Sequence, residues 1–336
     1  MHKASLWQDA SKQKGVDCRL CHHFCSIREG RRGICGVRKN LDGQLYSLNY
    51  GKLIAAHIDP IEKKPLFHFL PGSHSYSIAA PGCNLRCTWC QNWEISQASS
   101  RNNPENLAYT APEEVVEAAR RSGCQSIAYT YTEPTIFYEY AQDVSRLSSE
   151  AGLKNVWVSN GYMSDTMLDE YLPMLDAINV DLKAFDETIH RKFTGAHLQP
   201  ILDNCRKLKQ AGVWLEVTTL LIPGINDDDV QINGLAEFIA NDLGRDTPWH
   251  ISRYFPQPQF REIPATDPGV IARAFKTGKQ AGLKYVYRGN SGAREDTFCP
   301  QCAELLVARS SGLIMKNQLD QGSCPNCGQV IEGIWE

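Results

Sequence analysis

Short apolar runs alternate with amphipathic segments between Tyr76 and Asn290. The apolar runs are rich in valine, isoleucine, tyrosine and tryptophan, which β-strands favour. The strands predicted from them cover residues 76–80, 126–131, 155–160, 177–182, 214–222, 249–255 and 285–289. Because strand and helix patterns alternate repeatedly, the chain is predicted to form an α/β fold with a parallel sheet or barrel.

Two of the intervening segments carry clear helix-end signals. In TAPEEVVEAARRSG, Thr110 is the predicted N-cap, with Pro112 in the first turn and Glu113 at the capping-box position. Gly123 is predicted to end this helix, and Gly212 to end a second one in QPILDNCRKLKQAG. Both helices therefore have ends that the local sequence specifies.

The chain is predicted to contain three parts: an N-terminal module with a connecting segment (1–75), a barrel (76–293) and a C-terminal module (294–336). An apolar share of 42% and a net charge of −3 are ordinary for a soluble enzyme and favour neither membrane nor nucleic acid. No signal-peptide core or membrane span is visible. We therefore expect a cytoplasmic protein without a membrane partner, while the basic segment 1–40 leaves nucleic acid open.

Eleven of the thirteen cysteines fall into three clusters, which indicates metal binding rather than disulfide bonds in a cytosolic chain. The central cluster, CNLRCTWC, holds Cys83, Cys87 and Cys90 directly after a predicted strand. A structural zinc site would need a fourth ligand, and residues 91–109 contain neither histidine nor cysteine. Three thiolates can instead hold a [4Fe–4S] cluster and leave one iron open to a small molecule.

The C-x3-C-x-aromatic-C pattern resembles the signature of radical S-adenosylmethionine (SAM) enzymes, with Trp89 in the aromatic position. Four stretches together resemble the AmmeMemoRadiSam-system radical SAM proteins, relatives of pyruvate formate-lyase-activating enzyme: CRLCHHFCSIREGRRGICGVRKN, DPIEKKPLFHF, GCNLRCTWCQNWEIS and EVTTLLIPGIND. The resemblance runs from about Cys18 to Asn290. It implies a partial (β/α)6 TIM-like radical SAM barrel.

The resemblance also implies which residues bind SAM. In YTEP, Glu133 would accept hydrogen bonds from the methionine ammonium of SAM, while Tyr131 and Thr132 replace the glycines of the Gly-Gly-Glu-Pro-type motif. VSNG resembles a third-strand turn, DLK resembles the Asp-x-Lys of glycyl-radical-enzyme activases, and a histidine lies on the sixth strand. The implied cofactor-binding residues are Trp89, Glu133, Ser159, Asn160, Asp181, Lys183 and His250.

The chemistry implied by the resemblance needs a flavodoxin- or ferredoxin-like one-electron reductant. The reduced cluster would cleave SAM to methionine and a 5′-deoxyadenosyl radical, which abstracts a hydrogen atom from an unidentified substrate. Three alternatives remain open. The chain could install a glycyl radical on a partner protein, modify a small molecule, peptide or RNA, or be a zinc-stabilised scaffold without catalysis.

Two further groups of four cysteines flank the predicted barrel. The C-terminal group forms two C-P-x-C motifs, as in a zinc ribbon, and rubredoxin-type iron is the alternative to zinc. It consists of Cys299, Cys302, Cys324 and Cys327. The N-terminal group consists of Cys18, Cys21, Cys25 and Cys35. Its four thiolates predict a closed site that holds either zinc or an auxiliary iron–sulfur cluster.

Overall fold

The computed structural model describes residues 1–10, 14–97, 103–256, 260–310 and 312–336. The chain divides into two compact units, each built from discontinuous segments. The first comprises Met1–Asp59, His74–Ala177 and Arg191–Asn204, and the second comprises Pro60–Ser73, Ile178–His190 and Cys205–Glu336. The three-part division into 1–75, 76–293 and 294–336 follows chain order and stays a prediction.

The strands are numbered β1 to β17 in chain order. They are β1 (His2–Lys3), β2 (Trp7–Asp9), β3 (Val16–Cys18), β4 (Ser26–Ile27), β5 (Arg38–Leu41), β6 (Gln44–Ser47), β7 (Ala55–Pro60), β8 (His74–Ala79), β9 (Ser126–Tyr129), β10 (Lys154–Ser159), β11 (Ala177–Asp181), β12 (Trp214–Leu221), β13 (Trp249–Arg253), β14 (Val286–Gly289), β15 (Thr297–Phe298), β16 (Leu305–Ser310) and β17 (Leu313–Asn317).

The main sheet has eight strands in the order β14-β13-β12-β11-β10-β9-β8-β7. In the first unit β8 pairs in parallel with β9, and β9 with β10. In the second unit β12 pairs in parallel with β13, and β13 with β14. The strands predicted from the sequence correspond to β8–β14, and each neighbours the next, as strand–helix alternation requires. The predicted α/β fold class is confirmed.

Three smaller antiparallel sheets lie outside the main one. Two of them, β1-β6-β5 and β2-β3-β4, belong to the N-terminal segment, where β3 ends at Cys18. The third, β15-β16-β17, belongs to the C-terminal segment. Both flanking cysteine groups therefore lie on or beside short antiparallel sheets.

The α-helices are α1 (Trp93–Ser96), α2 (Pro112–Arg121), α3 (Tyr138–Glu150), α4 (Asp165–Tyr171), α5 (Glu187–Thr194), α6 (Gln199–Gln210), α7 (Asp229–Phe238) and α8 (Pro268–Gln280). Short 3-10 segments cover Ile61–Lys63, Pro104–Asn106, Pro134–Phe137 and Leu172–Met174, and a π-helical turn covers Ile239–Leu243. Within the described residues, no helix has the length and apolar character needed to cross a membrane.

Helix α2 begins one residue later than its sequence signals predict. Its N-cap is Ala111, whose backbone N–H donates to the Glu114 carboxylate at 2.6 Å. The prediction of Thr110 as N-cap and Glu113 as its partner was wrong, because the Thr110 N–H donates to the Gly51 carbonyl at 2.8 Å. A contact from a distant part of the chain thus fixes where the helix starts.

Helix α8 shows how closely the layers of the second unit pack. Its buried residues are Ile271, Ala274 and Gly278. A Cβ atom added at Gly278 would lie 3.0 Å from the Trp249 ring of β13, closer than a side chain normally approaches. Only glycine at this position lets the helix lie against the strand without displacing the ring.

Candidate functional site

The loop after β8 carries the three cysteines predicted to bind a cluster. Its backbone is held by the end of α5: the Arg86 N–H donates to the Thr194 carbonyl at 2.8 Å, and the Thr88 N–H to the Phe193 carbonyl at 3.1 Å. Trp89 is 4% exposed and packs on Phe193, with ring centroids 5.8 Å apart. This anchor leaves three half-buried thiols on the loop, those of Cys83, Cys87 and Cys90.

Gly82 allows the N-terminal segment to approach this loop closely. Its φ is +108°, and an added Cβ atom would lie 2.8 Å from Cγ1 of Val37 and 3.0 Å from the Cys35 carbonyl oxygen. Because both the φ angle and the space exclude larger side chains, glycine is required here.

Glu133, Ser159 and Asn160 form one hydrogen-bonded network in the first unit. Oε1 of Glu133 accepts from the Thr135 N–H at 3.1 Å and hydroxyl at 2.6 Å, and from the Ser159 hydroxyl at 2.8 Å. Oε2 accepts from the Asn160 N–H at 2.8 Å. Nδ2 of Asn160 in turn donates to Oδ1 of Asn84 at 2.8 Å, which joins the network to the cysteine loop. Residues from separate sequence motifs therefore meet in one place.

Burial dominates the electrostatics of this network. It raises the pKa of the Glu133 carboxyl, which is 2% exposed, although hydrogen bonds from Asn160, Thr135 and Ser159 partly oppose the rise. Burial also raises the pKa of the Cys83 thiol, and the negative charge of Glu133 adds to that rise. The site is therefore one in which a bound cation would be stabilised.

Asn84, which sequence reasoning missed, provides a test of whether the loop suits a cluster. Its Nδ2 is buried and has no hydrogen-bond partner among the described residues, whereas its Oδ1 accepts from Asn160. Buried donors without partners are rare in proteins. A cluster sulfide or a ligand oxygen would satisfy this donor, and three thiols on one loop match a cluster with one open iron. The residues present fit the cofactor that the motif implies.

Tyr131, which replaces a glycine of the related motif, keeps a glycine-like backbone. Its φ is +62°, in the left-handed region that costs other residues about 1–2 kcal/mol. Nδ2 of Asn92 donates to the Tyr131 carbonyl at 2.7 Å, and the tyrosine hydroxyl donates to the Asp59 carboxylate. These contacts hold the tyrosine in the conformation that glycine would adopt freely.

The remaining predicted SAM-binding residues lie in the second unit. Nζ of Lys183 lies 3.1 Å from Oδ2 of Asp181, and Nδ2 of Asn226 donates to the Lys183 carbonyl at 2.7 Å. His250 is 2% exposed, and its Nε2 lies 2.6 Å from Oε2 of Glu216. A carboxylate partner therefore orients the histidine.

Glu216 is a second residue that sequence reasoning missed. It is fully buried on β12 and also accepts hydrogen bonds from the backbone N–H groups of Phe67 and His68, at 3.0 and 2.8 Å. Burial alone would raise its pKa, but the hydrogen bond and charge of His250 lower it overall. The signal that could have revealed it is a lone acidic residue within the apolar run WLEVTTLLI.

A polar cavity of about 530 Å³ opens in the second unit. Two of its lining side chains, Glu62 and Arg309, are 4% and 1% exposed, and Oε2 of the first and Nε of the second have no partner among the described residues. His250 and Ser252 also line it. The lining suits a polar ligand.

The C-terminal cysteines converge on one point. Among the described residues, Cys299, Cys302, Cys324 and Cys327 form a group whose ligand atoms all lie within 4.8 Å of one another. Two of the Sγ–Sγ distances are 3.6 Å. A tetrahedral zinc site with Zn–S bonds of about 2.3 Å places its sulfurs about 3.8 Å apart. The group can therefore hold a single metal ion.

Comparison with known proteins identifies the class. The model of the Radical SAM superfamily matches residues 77–233. The uncharacterized protein MJ0808 of Methanocaldococcus jannaschii is 40% identical over 338 residues, covering 99% of each chain. Pyruvate formate-lyase 1-activating enzyme of Escherichia coli K12 is 25% identical over 48% of this chain and 67% of its own.

A crystal structure of a radical SAM methyltransferase from Sphaerobacter thermophilus superposes with a TM-score of 0.52 and 18% identity, covering 66% of this chain and 67% of that one. This likeness concerns the fold alone. The chain belongs to the radical SAM superfamily and is an enzyme of that class, which uses a [4Fe–4S] cluster and SAM. The narrower AmmeMemoRadiSam assignment stays a prediction.

Proposed function

We propose that Cys83, Cys87 and Cys90 hold the [4Fe–4S] cluster and that the enzyme abstracts a hydrogen atom from its substrate. The observation that carries this proposal is the connected network from Glu133 through Asn160 to Asn84 on the cysteine loop. When bound and reduced, the cluster and SAM supply a 5′-deoxyadenosyl radical.

The protein's own residues bind and orient SAM in this proposal. Glu133 accepts hydrogen bonds from the methionine ammonium. Ser159 and Asn160 donate to the Glu133 carboxylate and so hold that side chain in place. Lys183 binds the SAM carboxylate, with Asp181 keeping the lysine in position. The other proposed cofactor-binding residues are His250, which its carboxylate partner orients, and Trp89, which anchors the cysteine loop.

The proposed partners follow from the chemistry. A one-electron donor of the flavodoxin or ferredoxin class supplies the electron for SAM cleavage. The C-terminal four cysteines hold zinc, because their sulfur spacing matches a tetrahedral zinc–thiolate site. Zinc there has a structural role, since Cys299 and Cys324 belong to the core formed with Phe67 and Leu306.

A protein is our preferred substrate, on which the enzyme would install a glycyl radical. The similarity to pyruvate formate-lyase 1-activating enzyme supports this choice. Modification of a peptide, an RNA or a small molecule is the competing outcome.

The first experiment tests the cluster loop. Anaerobically purified protein is reduced with dithionite, given SAM and assayed for 5′-deoxyadenosine. We expect Cys87→Ala to abolish the product, because a cluster with two protein thiolates is not retained. Cys124→Ala removes a buried cysteine outside the clusters and should preserve product formation. Continued production by a folded Cys87→Ala variant would overturn the cluster assignment.

The second experiment tests the substrate class. The enzyme is incubated with protein, RNA and small-molecule fractions from cells grown with glycine deuterated at Cα. A glycyl-radical activase should transfer deuterium to 5′-deoxyadenosine from the protein fraction. Deuterium-free 5′-deoxyadenosine whose formation depends on the RNA or small-molecule fraction would refute the activase proposal and leave the cluster assignment intact.

A further inference from the structure

The polar cavity of the second unit lies at the carboxyl ends of two neighbouring strands. Its lining includes Ser252, on β13, and Gly289, the last residue of β14, which pair with each other in the parallel sheet. Parallel sheets bind ligands outside the carboxyl ends of their strands. The cavity volume of about 530 Å³ falls within the range of about 300–1,000 Å³ that is usual for pockets that bind small molecules. Both the position and the size of the cavity therefore suit a small ligand.

Gly289 leaves space beside a carboxylate and a hydroxyl group. A Cβ atom added at this residue would lie 3.0 Å from Oγ of Ser252 and 3.5 Å from Oε1 of Glu295. Both polar groups therefore face the same region, which the glycine has no side chain to fill. Among the described residues, no hydrogen bond or ion pair reaches the Glu295 carboxylate, and this side chain is half-buried.

The electrostatics of the wall are dominated by two carboxylates. Burial raises the pKa of the Glu295 carboxyl, although the charges of His250 and Arg309 partly oppose the rise. Burial also raises the pKa of Glu62, whose Oε1 accepts from the Gly72 N–H at 2.8 Å while its Oε2 has no partner among the described residues. A partly buried carboxylate with few hydrogen bonds is costly to ionise, and a bound cation would offset that cost.

The basic side chains that line the described part of the cavity all have interactions within the protein. Both terminal nitrogens of Arg309 donate to protein oxygens, and its Cζ lies 4.3 Å from the centre of the Phe67 ring, so that only its Nε is left without a partner. His250 hydrogen-bonds to a buried carboxylate, and Arg294 pairs with a neighbouring aspartate at 2.9 Å. Lys63 is exposed and has an interaction of its own. The charge that remains open to a ligand is therefore negative.

We propose that this cavity binds a small polar molecule through a primary amino group, and that Glu295 is the residue that recognises it. The ammonium group donates to the Glu295 carboxylate and to the Ser252 hydroxyl, and the charge of Glu62 stabilises it further. Hydrogen bonds between ions are about twice as strong as those between neutral groups, so the site favours an amine over the corresponding alcohol. The inference rests on the cavity and its lining and does not depend on the proposed SAM contacts.

The first test identifies what the cavity retains. Anaerobic, cluster-loaded enzyme is incubated with the small-molecule fraction of a cell extract and recovered by ultrafiltration. The molecules released on denaturation are quantified by mass spectrometry, with and without labelling by dansyl chloride, which reacts with amino groups. We expect the wild-type enzyme to retain an amine other than SAM at about one molecule per chain.

Glu295→Gln removes the negative charge and should lower the retention of this amine at least about tenfold. Because the carboxylate has no partner in the described part of the protein, the variant should not unfold at a lower temperature, which separates loss of binding from loss of folding. The control Glu237→Gln, at an exposed position on α7, should retain the amine as the wild type does. Retention of no amine other than SAM, or equal retention by wild type and Glu295→Gln, would overturn the proposal. A retained molecule that lacks an amino group and depends on Glu295 would overturn the ligand class.

Gly289→Ala tests where the amine binds. The backbone at this residue does not need glycine, because its φ lies outside the left-handed region, but the added methyl group would occupy the space beside Ser252 and Glu295. Retention of the amine should therefore fall at least about tenfold, while circular dichroism stays that of the wild type. Full retention by Gly289→Ala would show that the amine binds elsewhere and would refute the site.

Discussion

Replacing Glu216 by glutamine should loosen the second unit locally. The buried carboxylate accepts four hydrogen bonds: from the N–H groups of Phe67 at 3.0 Å and His68 at 2.8 Å, from Nε1 of Trp214 at 3.0 Å and from Nε2 of His250 at 2.6 Å. A glutamine has only one accepting oxygen. Its amide nitrogen, itself a donor, would therefore face the donors that the second oxygen of Glu216 accepts from. These donors cannot turn to water, because Glu216 is fully buried.

The magnitude follows from these contacts. A hydrogen bond to a charged group contributes about 1.5–3 kcal/mol. Oε1 of Glu216 accepts from His68 and Trp214, and Oε2 accepts from Phe67 and His250, so each oxygen accepts two of the four hydrogen bonds. We therefore expect Glu216→Gln, which replaces one accepting oxygen by an amide nitrogen, to lower the free energy of local opening by about 3–6 kcal/mol. Since each 1.4 kcal/mol is a factor of about ten, amide exchange in this region should accelerate at least about 100-fold.

Hydrogen exchange of the Phe67 and His68 amides measures this effect directly, because both amides donate to Glu216. Mass spectrometry of a peptide covering 66–70 reports their exchange rate. Glu237→Gln, at an exposed position on α7, is the matched control and should leave the rate unchanged. If exchange in Glu216→Gln stayed within about threefold of wild type, the carboxylate would not hold this segment.

The same carboxylate gives a pH dependence. Because the folded-state pKa of Glu216 is lowered, its stabilising contribution is present above the unfolded-state pKa and is lost as the pH falls through the folded-state pKa. Protection of the Phe67 and His68 amides, corrected for intrinsic exchange, should therefore decrease in acid. In Glu216→Gln this acid-dependent decrease should be absent or much smaller. An identical pH profile in both proteins would contradict the assigned role.

Two further replacements probe the first unit. Gly82→Ala should destabilise the protein by about 2–4 kcal/mol in thermal unfolding and reduce cluster retention, because φ strain adds to the clash with Val37. The control Gly123→Ala, at a position with a φ of +67° but open space, should cost only about 1 kcal/mol. Equal losses of stability in the two variants would refute the close approach at Gly82. Arg38→Met leaves the Glu139 carboxylate buried without its cation and should lower the free energy of unfolding in urea by about 3–5 kcal/mol. A decrease below about 1 kcal/mol would show that the ion pair is not needed for stability.

Local sequence determined much of the fold and the central site. Strand and helix periodicity predicted β8–β14 because side-chain alternation and helical faces are properties of neighbouring residues. The spacing of Cys83, Cys87 and Cys90 within eight residues likewise indicates the cluster loop, since one short loop can present all three thiols. The start of α2 escaped prediction because its backbone is fixed by Gly51, far away in the chain.

Tertiary structure alone decided which distant residues support the site. Asn84 and Asn160 are 76 residues apart, and Arg38 and Glu139 are 101 residues apart, so no local pattern could pair them. The sequence also did not give the distances between the sulfur atoms of the C-terminal group. In the folded chain the ligand atoms of the C-terminal four all lie within 4.8 Å of one another, because the backbone brings Cys302 and Cys324, which are 22 residues apart, side by side. Sequence spacing alone does not set those distances, since they depend on where the folded backbone places each Cβ atom, and a single metal ion needs all four sulfurs close together.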